Sequence, residues 1–336
     1  MNNPKVSIII PVYNTGEYLY ECIYSVLNQS LKEIEIIIIN DGSTDNSGEI
    51  CEYFARIDSR IKVIHNDNRG VSASRNLGIS LSNGKYTCFI DSDDFIDINM
   101  LEKLYKKAEL YECDMVYCDL TIKYPNFNIN DTISSLEKSV LLEKDNISPD
   151  VLMEIAGSMC RGIYKRELLI INNILCPTNL KLSEDRVFNL NFMGSCQTLF
   201  YLKEPLYYQN VRETSVTHKY FDNMWDMVKQ SRKCILGIIN EKWSNKKEIR
   251  SIYNNQFYNG MIGAINNELH VDNKISIIKK YLKVKKIIND PVSKLIINNK
   301  RFPLIVKRFV YNNTIILFIL IKFKKIIQSI RRELHV

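Results

Sequence analysis

Asp41 stands in the run Asn40-Asp41-Gly42-Ser43-Thr44-Asp45, which closes a strongly apolar segment, and fifty residues later a second acidic turn, Asp91-Ser92-Asp93-Asp94, closes another. Carboxylates at two strand ends suit a nucleotide and a metal ion, because Mg²⁺ and Mn²⁺ are hard cations that take oxygen ligands and can bridge a diphosphate. Strands of an open α/β sheet deliver their loops to a common crevice at their carboxyl ends, so Asp41, Asp91 and Asp93 can meet around one ligand. Neither G-x-G-x-x-G nor G-x-x-x-x-G-K-[ST] occurs in the chain. That argues against a dinucleotide dehydrogenase and against a P-loop NTPase.

The elements that must carry these turns are legible in the first 120 residues. Apolar runs predict strands over 6–11, 35–40, 61–65, 86–90 and 115–119, and helical periodicity predicts helices over 18–29, 45–57, 72–81 and 99–110. Alternation of the two implies an α/β fold with a mainly parallel sheet covered by helices. Asp45 is read as a helix N-cap, and Gly42 and Gly70 as residues serving backbone geometry. Residues 121–150 lose the rhythm and read as a long loop or peripheral insertion. Apolar order resumes near Val151–Ile155, and residues 199–208 read as a returning strand.

The 336 residues, 46% hydrophobic, suffice for one large domain plus an appendage. Nine cysteines without C-x-x-C spacing suggest neither a zinc site nor a disulfide framework. The opening residues lead straight into an apolar run, so a cytoplasmic chain without a secretory leader is expected. Charge divides the chain: residues 1–218 hold 21 Lys/Arg against 30 Asp/Glu, and residues 219–336 hold 24 against 8. A basic, helical region over 219–336 is therefore expected to follow a domain over 1–218 and to sit on an anionic membrane surface, the alternative being a packed helical bundle with a solvated basic face. Within it, 274–288 places Ile275, Ile278, Leu282, Ile287 and Ile288 on one side and most of Lys279, Lys280, Lys283 and Lys286 on the other, the pattern of an interfacial helix. The apolar run 315–321 is only seven residues long, too short to span a bilayer. No nucleic-acid signature accompanies the charge, so no nucleic-acid partner is expected.

Taken together, Pro11-Val12-Tyr13-Asn14, the run from Asn40 to Asp45, Gly70-Val71-Ser72-Ala73-Ser74-Arg75-Asn76 and Asp91-Ser92-Asp93-Asp94 resemble, in order and spacing, the family 2 glycosyltransferases of the GT-A fold. The resemblance is strong over 5–120, weaker over 155–218 and absent beyond. It implies a UDP-sugar donor, with Asp41 bonding the uracil, Tyr13 beside the base, Pro11 shaping the first turn and Arg75 close to the nucleotide. Asp91 would lie near the ribose and sugar, and Asp93, with Asp91, would hold Mg²⁺ or Mn²⁺ on the diphosphate. The run Ser183-Glu184-Asp185-Arg186-Val187-Phe188 is similar to the family's acidic motif, which makes Asp185 the expected catalytic base and Glu184 its rival. Residues 207–218 resemble a loop near the diphosphate, whose Arg212 and His218 would contact phosphate oxygens.

The implied activity is inverting transfer of one sugar onto a glycan acceptor, polyprenyl-diphosphate-linked, in bacterial capsule, exopolysaccharide or cell-wall glycan assembly at the inner face of the membrane. The Q-x-x-R-W element of processive polymerases is missing, in keeping with one sugar per encounter. Two rivals are a polyprenyl-phosphate glycosyltransferase, which would not need Asp185 as a base, and a catalytically silent nucleotide-sugar-binding module, against which the intact acidic set argues.

Overall fold

Strands β1 (Val6–Val12) and β2 (Ile34–Asn40) carry apolar residues with almost no alternation because the sheet is covered on both faces, and β1 is buried along its whole length. In a computed structural model, residues 3–124, 127–133, 135–211, 220–244, 247–270 and 272–299 are described. β3 (Ile61–His65), β2, β1 and β4 (Tyr86–Phe89) are neighbours in that order and all parallel. Beyond β4 the sheet is mixed. β9 (Gly162–Lys165) runs antiparallel between β4 and β6 (Met115–Lys123), β10 (Thr198–Asn210) lies parallel to β6, and the short β5 (Phe95–Ile96) pairs antiparallel with β10.

The helices follow the sheet closely. α1 (Gly16–Leu27) buries Leu19, Cys22, Ile23 and Val26, a single stripe at 3.6-residue spacing. α2 (Ser47–Ile57) packs near β3, α3 (Val71–Leu81) across β1 and β2, and α4 (Met100–Leu110) against β6. The approach of α3 is unusually close: a Cβ on Gly78 would lie 2.4 Å from Cγ2 of Ile9, so glycine lets this helix lie on β1 and carry Arg75 over the strand ends.

The described residues within 121–150 form strands that their composition does not suggest. β6 continues to Lys123, β7 (Asn128–Asp131) pairs with it antiparallel, and β8 (Val140–Glu143) pairs with β10. Both added strands are only four residues long and substantially exposed, so neither carries the long apolar run of a buried strand. α5 (Pro149–Ile155), α6 (Arg166–Ile171) and α7 (Glu184–Met193) complete this part.

The chain folds as two compact units, Met1–Arg212 with Gly237–Lys246, and Glu213–Leu236 with Lys247–Val336. Trp243 belongs to the first, where its indole N–H donates to the Leu190 carbonyl at 3.2 Å and so ties it to the end of α7. The second unit contains most of α8 (Met224–Lys242), α9 (Lys247–Glu268), α10 (Ile277–Asn289) and α11 (Pro291–Asn299), with Trp225, Tyr253 and Phe257 among its packed rings. α10 corrects the face drawn from sequence. It packs Val284, Ile287 and Ile288 inward beside α9 and α11, and leaves Ile277, Ile278 and Leu282 47%, 68% and 55% exposed. No helix among the described residues is long and apolar enough to cross a membrane. The run 315–321 lies outside the described residues.

Candidate active site

The parallel strands β1, β2 and β4 end side by side, and the loops that leave them are tied together by side chains. Asn14, in a left-handed conformation with φ 50°, accepts the Thr44 amide at 2.8 Å while its own amide donates to Ser43 Oγ at 3.1 Å. Thr15 reaches the other acidic turn, its hydroxyl 2.9 Å from Ser92 Oγ. Asp45 accepts the amides of Gly16 and Ser47, both at 3.0 Å, and so braces two loops one residue before the N-cap Asn46 of α2. Pro11 is buried in β1 opposite Ile39, and Tyr13 stands 49% exposed just beyond the strand.

Asp41 is buried, and its two oxygens accept the amides of Arg69 at 2.9 Å and Gly70 at 2.7 Å. Gly70 has φ +89° with open space where a Cβ would stand, so the backbone conformation, not crowding, requires glycine. Asp41 thus fixes the turn from which α3 starts, and α3 carries Arg75.

Arg75 is the hub. Its guanidinium is buried and donates through Nη2 to Asp91 Oδ1 at 2.8 Å and through Nη1 to Asp185 Oδ1 at 3.0 Å, with Glu184 at 4.0 Å. Asp185, 110 positions from Arg75 in sequence, therefore shares that cation with Asp91. Burial opposes its charge, but Asp185 and Asp91 hold it firmly protonated. Its Nε has no hydrogen-bond partner among the described residues.

Asp185 enters from the first turn of α7. The cap residue of that helix, Ser183, adopts φ 62°, a left-handed conformation that costs a non-glycine residue energy and sets the angle at which the acidic pair enters. Asp185 Oδ2 accepts the Met159 amide at 3.2 Å. Burial foremost, with the negative charges of Asp91 and Glu184, pushes its carboxyl up to about 6, against the pull of Arg75 and of the Met159 amide. That lies where a general base works near neutral pH.

In the acidic turn the carboxylates divide. Asp94 is turned inward, accepting the Tyr207 hydroxyl at 2.7 Å and the Asn210 amide at 3.0 Å, and Asn210 Nδ2 donates to the Asp93 carbonyl at 2.7 Å. Burial, then repulsion from Asp91 and Asp93, raises the Asp94 carboxyl well above the usual carboxylate range. Asp91 and Asp93 keep part of their side chains accessible. No group of three or more His, Cys, Asp or Glu side chains gathers as a metal cage among the described residues. Two accessible carboxylates and a mutually repelling acidic set nevertheless fit a Mg²⁺-like ion that takes one or two carboxylates and completes its shell with water and phosphate. Arg212 and His218 lie outside the described residues.

The structure thus brings Asp91, Arg75 and Asp185, each named from the sequence, into one cluster, and makes Asp41 the anchor of the helix that carries Arg75. The sequence pattern does not single out Tyr207 and Asn210, which close the acidic turn from β10; their signal is the resemblance of residues 207–218 to a loop near the diphosphate, and the structure corrects that reading by placing 207–210 in the strand.

The family described as Glycosyl transferase family 2 matches residues 7–167. The uncharacterized glycosyltransferase EpsJ of Bacillus subtilis strain 168 is 35% identical over 222 residues, 64% of this chain and 63% of that protein. The putative glycosyltransferase EpsH of the same organism is 31% identical over 234 residues, 67% of this chain and 66% of its own length. The chain thus spans slightly less than two thirds of either relative. Among solved structures, S. aureus TarS 1-349 in complex with UDP-GlcNAc superposes with a TM-score of 0.70 at 20% identity, covering 98% of this chain and 92% of that one. The mannosyltransferase PcManGT from Pyrobaculum calidifontis, in complex with GDP-Man and Mn²⁺, gives 0.52 at 13% identity, covering 89% and 85%.

Proposed function

Because this chain belongs to glycosyl transferase family 2, we propose that the crevice around Arg75 transfers one sugar from a UDP-sugar to a glycan acceptor, with inversion, in bacterial surface-polysaccharide assembly. The observation that carries the reading is the single guanidinium shared by Asp91, on the donor side, and Asp185, the candidate base. An acceptor hydroxyl attacks the anomeric carbon as the bond to UDP breaks, and Asp185 takes the hydroxyl proton. Attack opposite the departing UDP inverts the anomeric centre.

Arg75 serves both ends. It keeps two carboxylates ordered before substrate arrives, and its Nε, unpartnered among the described residues, is a donor that a phosphate oxygen would satisfy. Asp93 and Asp91 would hold Mg²⁺ or Mn²⁺, which when bound supplies positive charge to the departing diphosphate. Asp94, occupied by Tyr207 and Asn210, braces the turn. Asp41 and Tyr13 would take the uracil; the bound UDP-GlcNAc of TarS supports a uridine nucleotide, and the Mn²⁺ of PcManGT supports a metal ion.

The acceptor is a lipid-linked glycan, polyprenyl-diphosphate-linked, and the basic C-terminal unit rests on the anionic inner face of the cytoplasmic membrane. Ile277, Ile278 and Leu282, exposed beside Lys279, Lys285 and Lys286 on α10, support that reading. The deciding experiment pairs UDP binding with UDP release over a panel of UDP-sugars. Asp185→Asn should keep nucleotide affinity and lose transfer by about 10²–10⁴-fold. Wild-type transfer in that variant removes Asp185 from the chemistry.

A further inference from the structure

Asn189 lies one helical turn past Asp185 on α7 and is fully buried. Asparagine is a poor interior helix residue, and a buried amide is costly unless its donors and acceptor are matched. Here they are matched. Nδ2 donates to the Ser158 carbonyl at 2.8 Å and to the Ile155 carbonyl at 3.3 Å, and Oδ1 accepts the Tyr164 hydroxyl at 2.9 Å. The same hydroxyl lies 2.9 Å from the Met159 carbonyl. The segment that leaves the end of α5 is thus held at carbonyls 155 and 158 by Asn189, whose Oδ1 shares the single Tyr164 hydroxyl proton with the Met159 carbonyl, and from that segment the Met159 amide reaches Asp185 Oδ2.

We propose that Asn189 is a positioning residue for the base, acting through the 155–160 segment to fix the Asp185 carboxylate between the Met159 amide and Arg75. The proposal rests on Asp185 being the base. An aspartate's terminal torsion is broad, so its own rotamer does not orient the carboxylate plane. Two anchors on different oxygens do: Nη1 of Arg75 on Oδ1 and the Met159 amide on Oδ2. The first anchor comes from α3; the second exists only while Asn189 holds its carbonyls.

The other groups that face Asp185 leave this assignment intact. They are Arg75 from α3, Asp91 from the acidic turn and Glu184 alongside, with Cys160, Cys176, Tyr117 and Tyr164, which burial keeps neutral. The hydrogen bonds of Asn189 go to Ile155, Ser158 and Tyr164, so a change at Asn189 reaches the base through the segment it holds. Loss of the Met159 amide removes a donor that favours the carboxylate, so the base should then titrate at higher pH.

The test uses the full chain and UDP release from whichever of UDP-glucose, UDP-galactose and UDP-N-acetylglucosamine it turns over, water serving as acceptor. Asn189→Ala should lower kcat by about 10–100-fold, the scale of a small misplacement of a reacting group. Donor KM should stay within about threefold, since donor contacts lie elsewhere, and the acid limb of kcat/KM should move to higher pH. Carboxyl ¹³C titration of Asp185, identified by its loss in Asp185→Asn, should show the same upward movement without turnover. In the Asp185→Asn background, Asn189→Ala should change the residual rate by less than about twofold, because the two act as a unit.

An unmoved Asp185 titration and wild-type kcat in a folded Asn189→Ala protein would overturn the inference, as would an equal fractional loss in both backgrounds. Should Asn189→Ala not fold, Tyr164→Phe, which removes one arm of the same bracket, is held to the same outcomes. Wild-type turnover in Asp185→Asn defeats the assignment of the base itself. An inactive Asp185→Asn beside a normal Asn189→Ala defeats only the role of Asn189.

Discussion

At the scale of single residues, three carboxylates of similar chemistry are assigned different work by their surroundings. Asp94 is locked by Tyr207 and Asn210, Asp41 by the Arg69 and Gly70 amides, and Asp185 is buried with one cation and one amide. Burial raises the Asp185 carboxyl to about 6, so with ionised Asp185 as the proposed base kcat/KM should rise with pH through about 6 and level off above it. Glu184 raises that value, so Glu184→Gln should move the limb to lower pH while transfer persists. Collapse of transfer in Glu184→Gln, with a normal Asp185→Asn, would hand the base role to Glu184. For the metal, Asp93→Asn should lose turnover by orders of magnitude with the fold intact, and chelation of the wild type should mimic it; full activity in excess EDTA would remove the ion from the mechanism.

At the scale of elements, the site depends on α3 lying on β1 and on β10 gripping the acidic turn. Gly78→Ala places a Cβ 2.4 Å from Ile9, and overpacking of this kind costs about 1–3 kcal/mol. Denaturant unfolding should show that loss, and Ile9→Ala should partly relieve it in the double variant; additive losses would mean that the helix simply shifts. Tyr207→Phe strips a donor from buried Asp94 and should cost about 1–3 kcal/mol in the same assay, with weaker Mn²⁺ dependence of turnover. The sequence made the long elements readable because apolar runs and 3.6-residue periodicity are local: β1, β3, α2, α3 and α4 all fall within two residues of their expected bounds. β5, β7, β8 and β9 are only two to four residues long, and β5, β8 and β9 exist through partners distant in sequence, so local pattern announces them poorly. The same limit applies to the site. Asp91 and Asp185 could be named from motifs, but their sharing of Arg75 is a product of tertiary packing, and so is the inward turn of Asp94.

At the scale of the whole molecule, charge and apolar surface in the C-terminal region argue for a partner of definite chemistry. Residues 219–336 hold 24 Lys/Arg against 8 Asp/Glu, and α10 exposes Ile278 and Leu282 one turn apart with Lys279, Lys285 and Lys286 around them. A helix that only packed within its unit would gain nothing from aliphatic side chains on its outer face, since its inner face is already supplied by Val284, Ile287 and Ile288. Each Lys or Arg near an anionic leaflet contributes about 1 kcal/mol, a term that salt screens, whereas inserted aliphatic side chains add a term that salt leaves in place. Full-length protein should therefore sediment with phosphatidylserine-containing vesicles at low salt and less so as salt rises, while uncharged vesicles bind it weakly. Ile278→Asp with Leu282→Asp should lower the binding that persists at high salt and leave UDP affinity unchanged, because neither residue belongs to the cluster around Arg75. If the intact protein ignores anionic vesicles at low salt, the membrane-surface reading falls and the exposed aliphatics need another occupant; if the double variant binds like the wild type, attachment is electrostatic alone and α10 is not the inserted element.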